Sequence, residues 1–195
     1  MNIIHLLSGG LDSTVMLYDL KNQGHRIHCV LFDYHQKHIQ ELTFSKLHCH
    51  RLKVNFTTLC LPQIPGSELT DGTGGIVVPN RNAILLSYAV AIASNRKFEV
   101  VTYACNKDDE TLFPDCRESF VAAFNKMIRE VGYEITVRAP YANKTKDIIA
   151  EIGRQLGVKF HETWRYGFTT SRSLSTNFRQ MERRLNDPQN HLGQG

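Results

Sequence analysis

The stretch Asn2–Ser13, which reads NIIHLLSGGLDS, decides the fold because an apolar run passes through two glycines into the start of a helix. The run Asn2–Leu7 predicts a strand that is buried on both faces, as in a parallel sheet. Adjacent glycines let backbone N–H groups approach a ligand without interference from a Cβ atom. A helix that opens there presents its free amides and its dipole to an anion. We therefore expect a phosphate-binding turn, formed by Ser8, Gly9, Gly10, Leu11, Asp12 and Ser13.

The spacing of this turn excludes the two commonest phosphate loops. No lysine follows at the spacing of a Walker A loop, and the dinucleotide fingerprint GxGxxG is absent. The plain alternative is a strand-to-helix turn capped by a serine, which Gly-Gly dipeptides often form. The complete six-residue motif directly after the first predicted strand favours the phosphate site.

Strand-length apolar runs alternate with amphipathic helical stretches along the rest of the chain. The predicted strands are Asn2–Leu7, Ile27–Phe32, Val54–Leu61, Glu99–Ala104 and Ile135–Val137. The predicted helices are Ser13–Asn22, Gln36–Leu52, Asn80–Asn95, Arg117–Val131 and Lys146–Leu156. This order predicts an α/β fold, an open parallel sheet with helices on both faces and ligands at the carboxyl ends of the strands. We expect one nucleotide-binding domain over residues 1–158, a short helical lobe over residues 159–186 and a polar tail over residues 187–195.

Composition excludes several classes of protein. The chain has 195 residues, 42% of them hydrophobic and 22% charged, which is unlike a disordered, collagen-like or coiled-coil protein. No apolar run approaches the roughly 20 residues of a membrane-spanning helix, and no secretory signal is recognisable. We therefore expect a cytoplasmic protein without a membrane partner. Five cysteines without a CxxC spacing indicate neither a disulfide framework nor a zinc knuckle.

Charge is unevenly distributed. Between Arg138 and Arg184 there are ten Lys and Arg residues against four Asp and Glu. A basic segment of this kind binds an anionic ligand or nucleic acid, or it is only a solvated face, and the sequence leaves both interpretations open.

The motif SGGLDS resembles the signature of the PP-loop ATP pyrophosphatases, which have an adenine nucleotide alpha-hydrolase-like fold. Five later segments resemble those of one branch, the 7-cyano-7-deazaguanine synthases (QueC), and occur in the family order. They are FDYHQKH at 32–38, VPNRN at 78–82, FPDCR at 113–117, the pairs AP at 139–140 and TK at 145–146, and ETW at 162–164.

The resemblance implies that ATP is cleaved between its α and β phosphates with Mg²⁺ as cofactor. It implies two rounds of activation of 7-carboxy-7-deazaguanine, in which ammonia first gives an amide that is then dehydrated to the nitrile. It also implies a homodimer, and makes a nucleic-acid partner unlikely. The implied nucleotide-binding residues are the turn Ser8–Ser13 with Phe32, Asp33, His38, Arg81 and Asn82. The implied substrate-binding residues are Phe113, Asp115, Arg117 and Trp164, and the implied catalytic residues are Asp12, Arg81 and Lys146.

The chemistry of these residue types agrees with that assignment. Asp115 can accept hydrogen bonds from the amino and ring N–H edge of a guanine-like base. Arg81 and Lys146 are cations suited to neutralising phosphate or carboxylate charge. Taken singly, without the family resemblance, Asp115 is better interpreted as a helix cap and Lys146 as a solvated surface lysine, and Arg117 can be the residue that opens the following helix.

The sequence departs from the family in three places. His35 replaces a glycine and Phe113 replaces a tyrosine. After ETW the family has four zinc-binding cysteines, whereas no cysteine follows Cys116 here, so we predict no structural zinc. We predict instead a helix over about 173–185 that docks through an apolar stripe formed by Leu174, Phe178, Met181 and Leu185.

These departures leave other functions open. One is a diverged paralogue that stops at the amide or joins the activated deazaguanine to another nucleophile. A second is a tRNA-modifying PP-loop enzyme that uses the basic segment, although sulfur-transferring members usually need paired cysteines. A third is a nucleotide-binding protein that has lost turnover.

Overall fold

The computed structural model describes residues 1–36 and 40–163. Five strands are present in this part of the chain: β1 (Asn2–Leu6), β2 (Arg26–Asp33), β3 (Asn55–Cys60), β4 (Val100–Thr102) and β5 (Thr136–Arg138). Five α-helices alternate with them: α1 (Leu11–Asn22), α2 (Gln40–Leu52), α3 (Arg81–Arg96), α4 (Glu118–Glu130) and α5 (Lys146–Gln155). Three short 3-10 helices lie at Lys107–Asp109, Pro114–Cys116 and Phe160–Glu162. None of the helices described is long and apolar enough to cross a membrane.

The strands form one parallel sheet in the order β3-β2-β1-β4-β5. The chain first builds outward from β1 through β2 to β3, and then returns to place β4 on the other side of β1. The carboxyl ends of β1 and β4 therefore border the point at which the strand order reverses. In open α/β sheets this is where ligands bind.

Apolar side chains of the strands alternate between two cores. Ile4 and Val101 belong to the core beneath α3 and α4, whereas Ile3 and Val100 belong to the core beneath α1, α2 and α5. Because both faces of the sheet are covered, the central strands β1, β2 and β4 bury nearly all of their side chains. This packing fixes β1 at the centre of the sheet and so places the turn that follows it.

The largest difference from the predicted elements lies after β2. A helix was predicted from Gln36, but the described part of α2 begins at Gln40. Gln36 lies instead in a turn, where its side chain accepts a hydrogen bond from the Tyr34 amide at 2.9 Å and donates one to the Phe32 carbonyl at 3.1 Å. His35 stands at φ 57°, in the left-handed region that glycine adopts without cost. The turn thus keeps a glycine-like backbone conformation despite the histidine.

Other boundaries shift by a few residues. Helix α1 begins at Leu11, two residues before the predicted start, and β4 is confined to Val100–Thr102. The segment 159–163, which was predicted to start a separate lobe, packs on the domain: the His48 ring donates to the Glu162 carbonyl at 3.0 Å, and the Arg51 guanidinium pairs with the Glu162 carboxylate. The rest of the predicted lobe, its helix over about 173–185 and the polar tail lie outside the described residues.

Candidate active site

Two serines shape the turn between β1 and α1. The Ser8 amide donates to Ser13 Oγ at 3.3 Å, and the two hydroxyl oxygens lie 2.9 Å apart. Ser13 Oγ in turn donates to the Gly10 carbonyl at 3.2 Å. Gly10 is the N-cap of α1 and no side chain caps the helix there, so its first-turn amides remain available to a ligand. The turn therefore has the geometry of an anion site at a helix N-terminus.

The two glycines of the turn serve different purposes. Gly9 stands at φ 80°, and a Cβ atom built on it would lie 2.2 Å from the Glu41 carbonyl oxygen. Only glycine fits there, because the turn packs directly against the first turn of α2. Gly10 has an ordinary φ of −71°, and the nearest atom to a Cβ would be Ser8 Oγ at 3.5 Å. The protein itself does not require glycine at position 10, because a Cβ atom there would make only an ordinary contact with Ser8.

His5, a fully buried residue of β1, anchors the turn to the sheet. Its Nε2 donates to the Ser13 carbonyl at 2.9 Å, and its Nδ1 accepts from the Thr102 hydroxyl of β4 at 3.0 Å. Burial lowers the pKa of His5 to about 4, although the two hydrogen bonds oppose this shift. The ring is therefore neutral at pH 7 and joins β1, β4 and the start of α1.

A polar network connects the turn to the segment after β4. The side-chain amide of the fully buried Asn106 donates to Asp12 Oδ2 at 2.6 Å and to Asp109 Oδ2 at 2.7 Å. Asp109 Oδ1 also accepts from Lys146 Nζ at 3.0 Å, and the Lys146 amide donates to Asp108 at 2.9 Å. Three elements, α1, the 3-10 turn Lys107–Asp109 with its N-cap Asn106, and α5, thereby meet beyond the carboxyl end of β4.

The protonation states within this network follow from its burial and charges. Burial raises the pKa of Asp12, while the hydrogen bond from Asn106 and the charge of Lys146 oppose the rise. Burial lowers the pKa of Lys146, but Asp109, Asp12 and Asp108 together outweigh it and leave the pKa above its ordinary value. Lys146 is therefore a protonated lysine held by carboxylates, rather than a freely solvated one.

Arg81, the first residue of α3, is the centre of a second cluster. Burial lowers its pKa, but Tyr34, Asp115 and Glu41 more than offset this effect, so the pKa lies above its ordinary value. Burial raises the pKa of Glu41 to about 7, against the influence of Arg81. The fold thus brings Arg81 and Asp115, both predicted site residues, into electrostatic contact, together with Glu41 beside Gly9.

Most of the remaining predicted site residues on β2 and α3 make contacts that stabilise the fold. Phe32 is buried and packs edge-to-face on Tyr88 with ring centroids 6.4 Å apart. The half-buried Asp33 accepts from the His35 amide at 3.1 Å and so stabilises the left-handed turn. Asn82 lies half-buried in the first turn of α3.

The FPDCR segment folds as the 3-10 turn Pro114–Cys116 ahead of α4. Asp115 is half-buried, and because the N-cap of α4 is Arg117, the capping interpretation of Asp115 is wrong. The Arg117 side chain is exposed and its Nε donates to the Glu110 carbonyl at 3.1 Å, which supports a local role. Phe113 packs half-buried on the core beneath α3 and α4. Two other predicted residues, His38 and Trp164, lie outside the described residues.

Six residues of these two clusters and of the anchor beneath the turn were not among the predicted site residues: His5, Tyr34, Glu41, Asn106, Asp108 and Asp109. Asn106 and Asp109 directly follow β4, and the rule that ligands bind where parallel strands end would have selected them. No comparable signal identified Glu41, which reads as an ordinary charge in the first turn of a helix.

The described residues contain no group of three or more His, Cys, Asp or Glu side chains that could hold a metal ion. Mg²⁺ is commonly held by one or two carboxylates together with the phosphate oxygens of its substrate. Asp12 fits that requirement, because its carboxylate adjoins the phosphate turn. All five cysteines are free thiols, four of them buried and Cys60 exposed.

Comparison with known families identifies the family to which the chain belongs. The model of the family described as "Queuosine biosynthesis protein QueC" matches residues 2–166. The chain belongs to the QueC family. A relative from Caldicellulosiruptor saccharolyticus, named 7-cyano-7-deazaguanine synthase, is 36% identical over 181 positions, which cover 84% of this chain and 80% of the relative. A relative of the same name from Methanoregula boonei is 33% identical over 185 positions, covering 84% and 83%. The prediction of a QueC-type enzyme is confirmed.

Solved structures with low sequence identity show the same fold. The U34-tRNA thiolase NcsA from Methanococcus maripaludis matches with a TM-score of 0.60 at 14% identity, over 96% of this chain and 67% of that one. The NMN synthetase from Francisella tularensis matches with a TM-score of 0.54 at 15% identity, over 94% and 76%. The predicted PP-loop α/β fold is therefore confirmed.

Proposed function

We propose that this QueC-family chain is an ATP-dependent 7-cyano-7-deazaguanine synthase that acts on 7-carboxy-7-deazaguanine and ammonia as a homodimer. The observation that supports it most is the uncapped turn Ser8–Ser13 beside two separate clusters, one acidic with Lys146 and one around Arg81 and Asp115. A reaction that activates a carboxylate with ATP needs these three functions: a pyrophosphate site, a counter-charge and a site for the acid. The names of the relatives supply the substrate class.

The reaction requires two activations. In the first, a carboxylate oxygen attacks the α-phosphorus of ATP and pyrophosphate leaves; ammonia then displaces AMP and loses a proton to give the amide. In the second, the amide oxygen attacks another ATP, pyrophosphate leaves, and loss of AMP with the remaining amide protons gives the nitrile. Both rounds need the same phosphate-binding features, because in each round the bond between the α and β phosphates of ATP breaks.

The turn and the acidic network act at the phosphate end. The free amides at the start of α1 and the hydroxyls of Ser8 and Ser13 bind the departing pyrophosphate, and the lack of a Cβ on Gly10 admits it. Lys146, already protonated, adds positive charge. Mg²⁺, when held by Asp12 and the substrate phosphates, supplies further charge neutralisation.

The Arg81 cluster acts at the acid end. Arg81 remains charged at any physiological pH and can pair with the substrate carboxylate or the α-phosphate. Asp115, in electrostatic contact with Arg81, is placed to accept from the donor edge of the deazaguanine base. Positioning and electrostatic stabilisation then account for catalysis without a covalent nucleophile.

A product assay tests this proposal. Purified protein is incubated with ATP, Mg²⁺, ammonia and 7-carboxy-7-deazaguanine, and the products are identified by mass spectrometry. We expect the nitrile with AMP and pyrophosphate. Asp115→Asn, which keeps the shape of the side chain but loses its charge, should abolish the product, whereas the exposed Glu118→Gln is the matched control and should behave as wild type.

The other outcomes discriminate among the alternatives. An amide without nitrile contradicts the second activation and indicates a paralogue that stops half-way. Adenylate without either product indicates a different nucleophile. The absence of any ATP turnover would overturn the proposed activity while leaving the fold unaffected.

A further inference from the structure

A polar cavity lies at the end of the sheet opposite to the phosphate turn. It has a volume of about 230 Å³ and is bordered by the amino ends of β2 and β3 and by residues that follow α1, α2 and α3. Its described lining includes four cations and two histidines: Lys21, Arg26, Lys53, Arg96, His25 and His28. No Asp or Glu is among the described residues that line it. We call it the basic pocket.

Contacts with neighbouring side chains fix two of the four cations. The Arg26 guanidinium lies over the Phe98 ring, 5.5 Å from its centroid. Arg96 donates to the Thr57 hydroxyl at 3.3 Å and to His28 Nδ1 at 3.5 Å. The pocket therefore presents guanidinium groups with reduced rotational freedom, which lowers the entropic cost of binding a ligand.

His28 remains neutral in this environment. Burial lowers its pKa, and the charge of Arg96 lowers it further. With Nδ1 accepting from Arg96, Nε2 carries the proton and donates to the Thr57 hydroxyl at 2.9 Å. Positive charge in the pocket thus comes from the lysines and arginines, while His28 holds Arg96 in position.

The four cations have no carboxylate partner within the part of the chain that the structure describes, where the salt bridges involve Arg51, Lys146 and Arg154. Lys21 and Arg96 lie in or at the last turns of α1 and α3, where cations offset the negative helix end. Lys53 directly follows the last residue of α2 and shares this effect, whereas Arg26 belongs to β2 and is not explained by it. Like charges gathered around one cavity are unfavourable unless an anion joins them.

We propose that the basic pocket is a binding site for a small phosphate-bearing anion, separate from the ATP site. A phosphate group fits the volume, and Arg and Lys donors without a competing carboxylate are the groups that recognise it. Because the cations are exposed, binding should weaken as ionic strength rises. The proposal does not depend on the reaction catalysed at the other end of the sheet.

Amide chemical shifts of the whole protein provide a test that separates the two sites. Inorganic phosphate and ribose 5-phosphate are titrated at low salt, and the amides of residues 26–28 and 53–55 are followed beside those of residues 8–13. We expect saturable shifts of the amides of residues 26–28 and 53–55. Arg26→Gln combined with Lys53→Gln should weaken binding in that set at least about tenfold, since each lost charge contact weakens binding several-fold. Lys97→Gln combined with Lys126→Gln, two lysines outside the lining, is the matched control.

The amides of residues 8–13 show whether the variants are folded, because this turn should respond to the anions as it does in wild type. Saturation by phosphate identifies a free-anion site, and saturation by ribose 5-phosphate alone identifies an ester site; both support the proposal. The absence of shifts at residues 26–28 up to millimolar concentrations, or unchanged affinity in the double variant, would overturn it. A response to tRNA but to neither small anion would also overturn it and would indicate a nucleic-acid surface.

Discussion

At the scale of single residues, the turn after β1 shows why adjacent glycines are not equivalent. The backbone of Gly9 is left-handed and lies against α2, whereas Gly10 has ordinary dihedral angles and room for a Cβ atom. The fold depends on the first glycine, and we expect the proposed ligand site to depend on the second. This difference leads to opposite expectations for the same substitution.

Gly9→Ala should lower the free energy of unfolding by about 2–4 kcal/mol, because it combines an unfavourable φ with a backbone clash. Gly10→Ala should leave stability unchanged or raise it by up to about 1 kcal/mol, since alanine restricts the unfolded chain. Gly10→Ala should instead weaken ATP binding. Urea denaturation and nucleotide titration check both variants, and equal stability losses would contradict the distinction.

The Glu41 carboxyl should make stability depend on pH. Its folded pKa of about 7 lies above the ordinary value of 4.5, so its favourable contribution is complete below pH 4.5 and is lost as the pH rises to 7. Glu41→Gln removes that loss. The free energy of unfolding of the variant minus that of wild type should therefore increase by about 2 kcal/mol between pH 4.5 and pH 8. This figure allows for the partial solvent contact of the carboxyl group.

The measurement is urea denaturation of both proteins across this pH range. Taking the difference between them cancels His5, whose lowered pKa destabilises both chains as the pH falls from 6.5 toward 4. A difference that stays constant with pH would contradict the raised pKa of Glu41.

At the scale of elements, Asn106 is the group that joins α1 to the segment after β4. Its amide donates to Asp12 and Asp109 at once, and no carboxylate could replace both bonds. Asn106→Asp would place a third acidic group in the same buried position. We expect a loss of roughly 2–4 kcal/mol at pH 8, partly recovered at lower pH as the cluster takes up a proton.

Thermal and urea denaturation at two pH values measure this effect. Asn95→Asp, on the exposed face at the end of α3, is the matched control and should change stability little. Equal behaviour of the two variants would show that the network around Asn106 does not stabilise the junction.

The elements themselves were largely predictable from the sequence. Runs such as Ile27–Phe32 are apolar except at His28 because both faces of the sheet are covered, and this pattern identifies buried parallel strands. The start of α2 was not predictable, because Gln36 caps the end of β2 through side-chain bonds that leave no periodic signal. The clusters were predictable only in part: Arg81 and Asp115 are distant in sequence, and their electrostatic interaction exists only through the three-dimensional fold.

At the scale of the whole molecule, the metal content of the chain remains a prediction. The family resemblance includes a zinc site built from cysteines after ETW, whereas the cysteines here all precede that point and are free thiols. We expect less than about 0.1 equivalent of zinc per chain after purification without added metal. Elemental analysis measures it, and one bound equivalent would contradict the prediction.

The central position of β1 also determines how the chain must fold. Ile3 pairs with Ile27 on one side and with Val100 on the other. One edge of β1 therefore stays unpaired until a strand almost a hundred residues later in the chain has been synthesised. Long-range parallel pairing of this kind slows folding and leaves a strand edge exposed in the meantime. During synthesis the first three strands can assemble early, but Lys146 must emerge before the acidic network is complete. On the proposed function, nucleotide stabilises the complete site only after most of the chain has left the ribosome, whereas the edge of β1 stays unpaired only until β4 has emerged.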